Sequence, residues 1–197
     1  MPTLLIAIAP QQFVDLLNRV NLKLAFTQNE AVDLLTTSNV DNSERILRFP
    51  IPHANVCLNL LNLRGILGTN PSVQPSFFEH PWYLTEPFAT DNCEPGWHGI
   101  HMDVLPDSVG QSIHYADRLS DRGLGLPKAI DVVLMLILHH VATKEQLLKT
   151  KHTWCADHDS QGRFVTVGAF GRNGIFVSAH SASYTSRGLG ICGKLLA

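Results

Sequence analysis

Residues 126–148 read LPKAIDVVLMLILHHVATKEQLL, the most apolar run in the chain. From Val132 to Leu138 seven apolar residues follow one another without a polar position among them. A helix of that composition has no face suited to water, so the rest of the domain must cover most of its sides. Pro127 suits the first helical turn, where its missing N–H would be unpaired anyway, and Gly123 and Gly125 supply the turn before it. A short buried strand has a similar composition, but strands run about 4–8 residues and this pattern runs about twice as long. Seven apolar residues fall far short of the roughly 20 that cross a bilayer. The reading is a central buried helix over residues 126–141. Thr143 stands three residues before Gln146, a capping-box spacing that predicts a second short helix from Lys144 to Lys149.

Downstream, the pattern becomes that of an antiparallel meander. Thr153 to Asp157, Arg163 to Phe170 and Ile175 to His180 read as strands, joined by turns at Asp159–Gly162 and Gly171–Gly174. Upstream, Trp97 to Val104 alternates as a half-buried strand, with His98, Ile100, Met102 and Val104 on one face. Between that strand and the central helix, Ser108 and Gln111 predict a capped helix with Val109, Ile113 and Ala116 on its inner stripe.

The N-terminal part reads as helical. Phe13, Leu16, Leu17 and Val20 follow Pro10 at helical spacing, and Thr27 with Glu30 opens a short helix carrying Ala31, Leu34 and Leu35. Asn39 to Ser43 is a polar turn, and Pro50 and Pro52 force an extended segment around Ile51. Val56 to Leu67 fits a helical stripe better than a strand. Residues 68–95 then bring Phe77, Phe78, Trp82, Tyr83 and Phe88 among five prolines. A connection of that length is more often a functional or packed cover than an idle loop. The expected organisation is a single α+β domain over residues 1–197. It comprises a helical part (1–72) and a part (73–197) with a mainly antiparallel sheet packed on the central helix.

Composition narrows the function classes. Hydrophobic residues make up 45% and charged residues only 16%, below the usual quarter, so much surface is buried or covered by a partner. Such a composition also fits a homo-oligomer. The net charge of −2 gives no electrostatic case for nucleic acid or membrane. Charge is nonetheless uneven: residues 71–131 carry nine acids against three bases, and residues 132–197 three acids against seven bases. Opposed solvated faces of one fold account for that. Cys57, Cys93, Cys155 and Cys192 lie far apart with no C-x-x-C pair, and MPTLLIAIAP lacks the basic start of a signal peptide. A reducing, cytoplasmic setting follows as the expectation.

Several motifs are literal matches that fail on context. Asp157-His158-Asp159-Ser160-Gln161-Gly162 opens like a calcium loop, but its twelfth position is Gly168 instead of a bidentate Glu. An Asp-initiated hairpin turn explains it better. Gly188-Leu189-Gly190-Ile191-Cys192-Gly193 matches G-x-G-x-x-G, yet four residues remain after it, too few for the helix that would hold a pyrophosphate. Cys192 with His180 as a nucleophile pair gives way to a small packed thiol. Phe164, Phe176 and Tyr184 among four bases make too thin a single-strand groove. Ten histidines are numerous for 197 residues. No metal or cofactor is expected; His139, His140, His152 and Asp157 are the ligands if there is one.

The series EPGWHGIHMDVLPDS, LPKAIDVVLMLILHH and TWCADHDSQGRFVTVGAFGRNGIFV resembles a set of uncharacterised bacterial proteins, over roughly residues 80–195. The resemblance implies an architecture and no catalytic residue. Two function classes stay open: a small cytoplasmic binding or interaction module for a protein or small molecule, and a metal-assisted hydrolase or nuclease using a His/Asp cluster. For the first, the aromatic cover should fold onto the hairpin beside Trp154. That would gather Trp82, Tyr83, Trp97, His101, Trp154, Asp157 and Asp159 into one site. The cysteine spacing predicts four free thiols, so thiol titration of the denatured, unreduced protein should count four.

Overall fold

The computed structural model describes residues 5–20, 45–51 and 57–196. They form an α+β fold built around the apolar helix, α3 (Ala129–Thr143), which follows α1 (Pro10–Asn18) and α2 (Leu60–Leu67). Every residue of α3 from Ala129 to Val141 is buried, as a helix without a polar face requires. The helix begins two residues after Pro127, whose carbonyl instead accepts the Ala156 N–H at 2.9 Å. At its start the Asp131 carboxylate accepts the Lys128 N–H at 2.9 Å, satisfying one donor of the first turn. At its end Lys144 adopts a left-handed conformation (φ 66°), and the short helix expected over Lys144–Lys149 does not form. The Thr143 hydroxyl that would have capped it donates to the His139 carbonyl at 2.8 Å and accepts the Glu145 N–H at 3.1 Å.

The strands, in chain order, are β1 (Leu5–Ala7), β2 (Ile46–Ile51), β3 (Gly96–His101), β4 (Leu124–Gly125), β5 (His152–His158), β6 (Phe164–Gly171), β7 (Gly174–His180), β8 (Leu189–Gly190) and β9 (Lys194–Leu195). They make two sheets, ordered β1-β2-β3-β9-β4 and β7-β6-β5-β8. The meander β5-β6-β7 is antiparallel as its turns demand, while β1 runs parallel to β2 and β8 parallel to β5. Helix α3 lies between the sheets, against β3 on one side and β5 and β6 on the other, with α1 and α2 alongside.

Several local expectations give way to tertiary structure. The N-terminal part is not simply helical, because β1 and β2 join the sheet that β3, β9 and β4 complete. Pro50 is tolerated within β2 because pairing with β1 reaches only Arg48, so no ladder hydrogen bond needs its missing N–H. The helix expected after Ser108 is replaced by 3₁₀ turns at Pro106–Ser108, Ile113–Arg118 and Ser120–Arg122. The Ser108 hydroxyl instead donates to the Leu105 carbonyl at 2.7 Å and accepts the Ile191 N–H at 2.8 Å. Of the stretch 56–67, Leu60–Leu67 forms α2, capped by Asn59 accepting the Asn62 N–H at 2.9 Å. The segments expected at residues 27–35 and 39–43 lie outside the described residues.

The aromatic connection is a cover, and what it covers is an edge strand. Phe78 donates its N–H to the Ile175 carbonyl, Ile175 donates to the Ser76 carbonyl, and Trp82 Nε1–H donates to the Val177 carbonyl, each at 2.8 Å. These contacts occupy β7, which would otherwise present unpaired backbone groups to solvent. The glycine-rich tail has a comparable structural use. Its strands β8 and β9 belong to different sheets, so residues 189–195 link the two layers. At Gly190 a Cβ would come within 2.9 Å of Val104 Cβ and Ser108 Oγ, which leaves room for glycine alone.

Among the described residues no helix is long and apolar enough to cross a membrane. Leu134 is fully buried at the middle of α3. Leu134→Ala should therefore destabilise the fold by about 2–5 kcal/mol, read from the shift of the urea unfolding midpoint.

Candidate functional site

The residues expected to meet around Trp154 divide between two cores. Tyr83, with Trp82 packed against it, belongs to the core around α3, and the two rings meet edge-on at 5.9 Å. Trp154 belongs to a second core on the other face of its sheet, where its ring meets Phe164 and His180 edge-on. Trp97 stands opposite Pro50 in the first sheet, and His101 there donates Nδ1–H to the Gly193 carbonyl at 2.8 Å. The cover does reach the hairpin, but through an acid: Glu86 accepts the Ser160 N–H at 2.6 Å and the Ser160 hydroxyl at 3.0 Å.

The two hairpin carboxylates have structural partners. Asp159 accepts the Gln161 and Arg163 N–H groups and the Arg163 guanidinium, closing the turn. Asp157 accepts the Ala129 N–H at 2.5 Å, at the start of α3. His139 and His140 lie near the far end of that helix, beside Glu145. Ten residues of helix separate the two ends by about 15 Å. His152 packs edge-on against Phe176 in another layer. The set His139, His140, His152 and Asp157 therefore does not converge on one point.

His152 does take part in a second arrangement. On the outer face of the meander, Phe176, Ser178 and His180 alternate along β7, and His152 projects from β5. Gly168 of β6 pairs with both His152 and Phe176, so no side chain intervenes and their rings meet across it at 5.8 Å. The close approach of β5 requires this glycine, since a Cβ there would stand 2.2 Å from the Lys151 carbonyl oxygen. With Tyr184, Ser186 and Leu189 these residues line a cleft of about 190 Å³. Tyr184 stacks on His180 with centroids 4.2 Å apart, and 41% of it is exposed. Burial lowers the His152 and His180 imidazoles below their ordinary range, His152 further through the neighbouring charge of His180 and His180 through that of Arg163. At neutral pH both rings are thus uncharged and offer one donor and one acceptor each. Ser178 Oγ lies 3.3 Å from His180 Nε2, and among the described residues no carboxylate lines the cleft beside that ring.

A third arrangement is buried on the other side of α3. Cys93, His98 and Asp131 bring one ligand atom each within 4.8 Å of one another, and none is more than 6% exposed. Among the described residues it is the group whose His, Cys and carboxylate atoms converge in this way. Cys93 donates its thiol to Asp131 Oδ1 at 3.4 Å, and His98 stacks on Phe49 of β2. Lys194 Nζ and the Lys128 N–H hold the other oxygen, Oδ2, at 2.8 and 2.9 Å. Burial alone would raise the Asp131 carboxyl, but His98 and then Lys194 hold it well below the usual carboxylate range. Burial and the adjacent Asp131 push the Cys93 thiol up, so it is a poor free nucleophile.

No family model, curated protein or solved structure matches this chain. Sequence reasoning did not single out Cys93, His98 and Asp131, whose spacing fits no short motif. Phe176 and Tyr184 were weighed only as stacking rings for nucleic acid. The alternation of Phe176, Ser178 and His180 on one face of a strand was the signal available for the cleft.

Four imidazoles, His139, His140, His152 and His180, are lowered, in each case chiefly by burial. Their unfolded value is near 6.5, so as pH falls through and below it the unfolded chain binds more protons than the folded one. Stability is then present above pH 6.5 and lost below. Asp157, raised by burial, opposes this trend. Urea midpoints should fall steadily from pH 7.5 to pH 5.5, with a reduced slope in His152→Gln.

Proposed function

We propose that the protein is a small-molecule-binding module whose ligand enters the cleft between His152, Phe176, His180 and Tyr184. One observation carries this reading: two uncharged imidazoles, two serine hydroxyls and two aromatic rings face one semi-enclosed space on a rigid sheet. Apolar walls with a few convergent polar groups are what ligand sites offer. The volume is below the ~300–1,000 Å³ of pockets for drug-sized ligands, so the ligand is small. Among the described residues no charged side chain lines the cleft, which favours an uncharged molecule. The Tyr184 ring at the mouth favours a flat one that can stack, with donors and acceptors at its edge.

The cleft on the second face of the meander takes the place of the shared site expected beside the aromatic cover. A hydrolase or nuclease drawing on His139, His140, His152 and Asp157 gains no support from their separation. Free Cys57, Cys93, Cys155 and Cys192 support a reducing, cytoplasmic setting.

Ligand-observed NMR, with protein-observed spectra of the histidine rings, tests the proposal using three fragment sets: uncharged heteroaromatics, small carboxylates and aliphatic polyols. Heteroaromatics should bind and shift the His152 and His180 ring signals. Tyr184→Ala, at an exposed position, should weaken that binding by roughly 10-fold, near the upper end of the ~0.5–1.5 kcal/mol of an aromatic pair. Binding confined to the other two sets, or unchanged in Tyr184→Ala, would remove the cleft as the site.

A further inference from the structure

We infer that Cys93, His98 and Asp131 form a binding site for a zinc-class transition-metal ion, held by Cys93 Sγ, His98 Nδ1 and Asp131 Oδ1. The inference starts from the orientation of the imidazole. His98 Nε2 lies 2.7 Å from the Glu94 carbonyl oxygen, a contact that needs the ring proton on Nε2. In the neutral ring, Nδ1 is then the nitrogen with the free lone pair. It is fully enclosed and has no aligned hydrogen bond. Asp131 Oδ1 is only 2.9 Å away, yet it lies off the direction an N–H on Nδ1 would take. A close pair that is badly aligned as donor and acceptor suits two lone pairs directed at a common third point. Cys93 Sγ lies 3.4 Å from the same oxygen and 4.0 Å from His98 Nε2, with the ligand atoms of the three residues within 4.8 Å of one another.

The separations fit the ion. Zinc bonds of ~2.0–2.3 Å in tetrahedral geometry place ligand atoms about 3.5 Å apart. The thiol-to-carboxylate distance already meets that, and the nitrogen-to-oxygen distance needs an opening of about half an ångström. The surrounding groups also fit. A ligating histidine commonly donates its other ring N–H to a backbone carbonyl, and a ligating carboxylate is itself hydrogen-bonded. Glu94 supplies the carbonyl, while Lys194 and the Lys128 N–H occupy Oδ2 and leave Oδ1 available.

The donor set selects the metal. Thiolate and imidazole suit zinc, cobalt and their neighbours and do not suit magnesium or calcium, which take oxygen. Binding replaces the Cys93 proton, which leaves to solvent as the thiolate–metal bond forms. Three protein ligands leave the fourth tetrahedral position to a water molecule or a small donor. Without a metal, a His98 ring protonated on both nitrogens pairs with Asp131 beside Lys194, and the cluster is then a buried ion-pair network. That network is the competing explanation, and it binds nothing.

The test uses the full chain without a histidine tag, with Zn²⁺ and Co²⁺ as probes. The protein should retain about one equivalent of zinc through dialysis, and Co²⁺ should give a near-ultraviolet thiolate-to-cobalt charge-transfer band. Cys93→Ala should abolish the band. His98→Gln should weaken zinc binding by more than the roughly 10–100-fold that loss of a supporting group produces. Cys57→Ala, at an exposed thiol, should change neither. The inference is overturned if the wild-type chain holds neither metal, or if the band survives Cys93→Ala. The wild-type measurement decides even where a buried variant fails to fold.

Discussion

A single buried carboxylate ties the layers of this fold together. Asp131 is the one charged residue between Ala129 and Leu138, and it is 1% exposed. Burying an ion without partners costs several kcal/mol, far more than a marginally stable domain can absorb. The partners come from four parts of the chain: the Lys128 N–H at the helix start, the Cys93 thiol, His98 from β3, and Lys194 from β9. An apolar helix alone could pack in several registers, since one leucine can substitute for another. A slip of one turn, about 5.4 Å, carries the Lys128 N–H along but would strip Asp131 of Cys93, His98 and Lys194. The apolar faces thus supply the attraction and the carboxylate the register.

The same logic shows which parts of the fold were legible in the sequence. The helix was readable because seven consecutive apolar residues allow few environments, and the meander because alternation and turn residues agreed with each other. What failed was decided at long range. Ser108 has the composition of a helix cap, but its hydroxyl is committed to Ile191, 83 residues away. Pro127 has the composition of a first helical residue, but its carbonyl is committed to Ala156 of β5. In neither case does local spacing record the competing partner. The mixed first sheet was hidden for a related reason, since its strands come from both ends of the described chain.

The histidines show how little a residue count conveys by itself. His98 and His101 are buried in the first sheet, His139 and His140 close the central helix, and His152 and His180 line the cleft. The pair His152 and His180 is separated by 28 positions: Gly168 of β6 lets His152 meet Phe176 across it, and His180 stands four residues further along β7, opposite Phe164. A sequence reading that gathers neighbours in the chain collects His139, His140, His152 and Asp157 instead. The helix then holds two of these about 15 Å from the third.

The two arrangements that the fold does assemble belong to different layers. Along β5, Thr153 and Cys155 face inward while His152 and Trp154 face the second core, because successive residues of a strand point to opposite sides. The cleft therefore lies on the outer face of the meander, and the Cys93–His98–Asp131 group lies beyond the central helix, against the first sheet. Neither borrows a side chain from the other. The cleft opens on solvent and has rings at its mouth, which suits exchange of a ligand. The buried group is reached through at most the 6% of Cys93 that is exposed and is surrounded by the ties that set the helix register. An ion held there would strengthen the joint between helix and sheet more readily than it would meet a substrate. The cleft proposed for recognition and the site proposed for a metal ion thus lie on opposite sides of one helix.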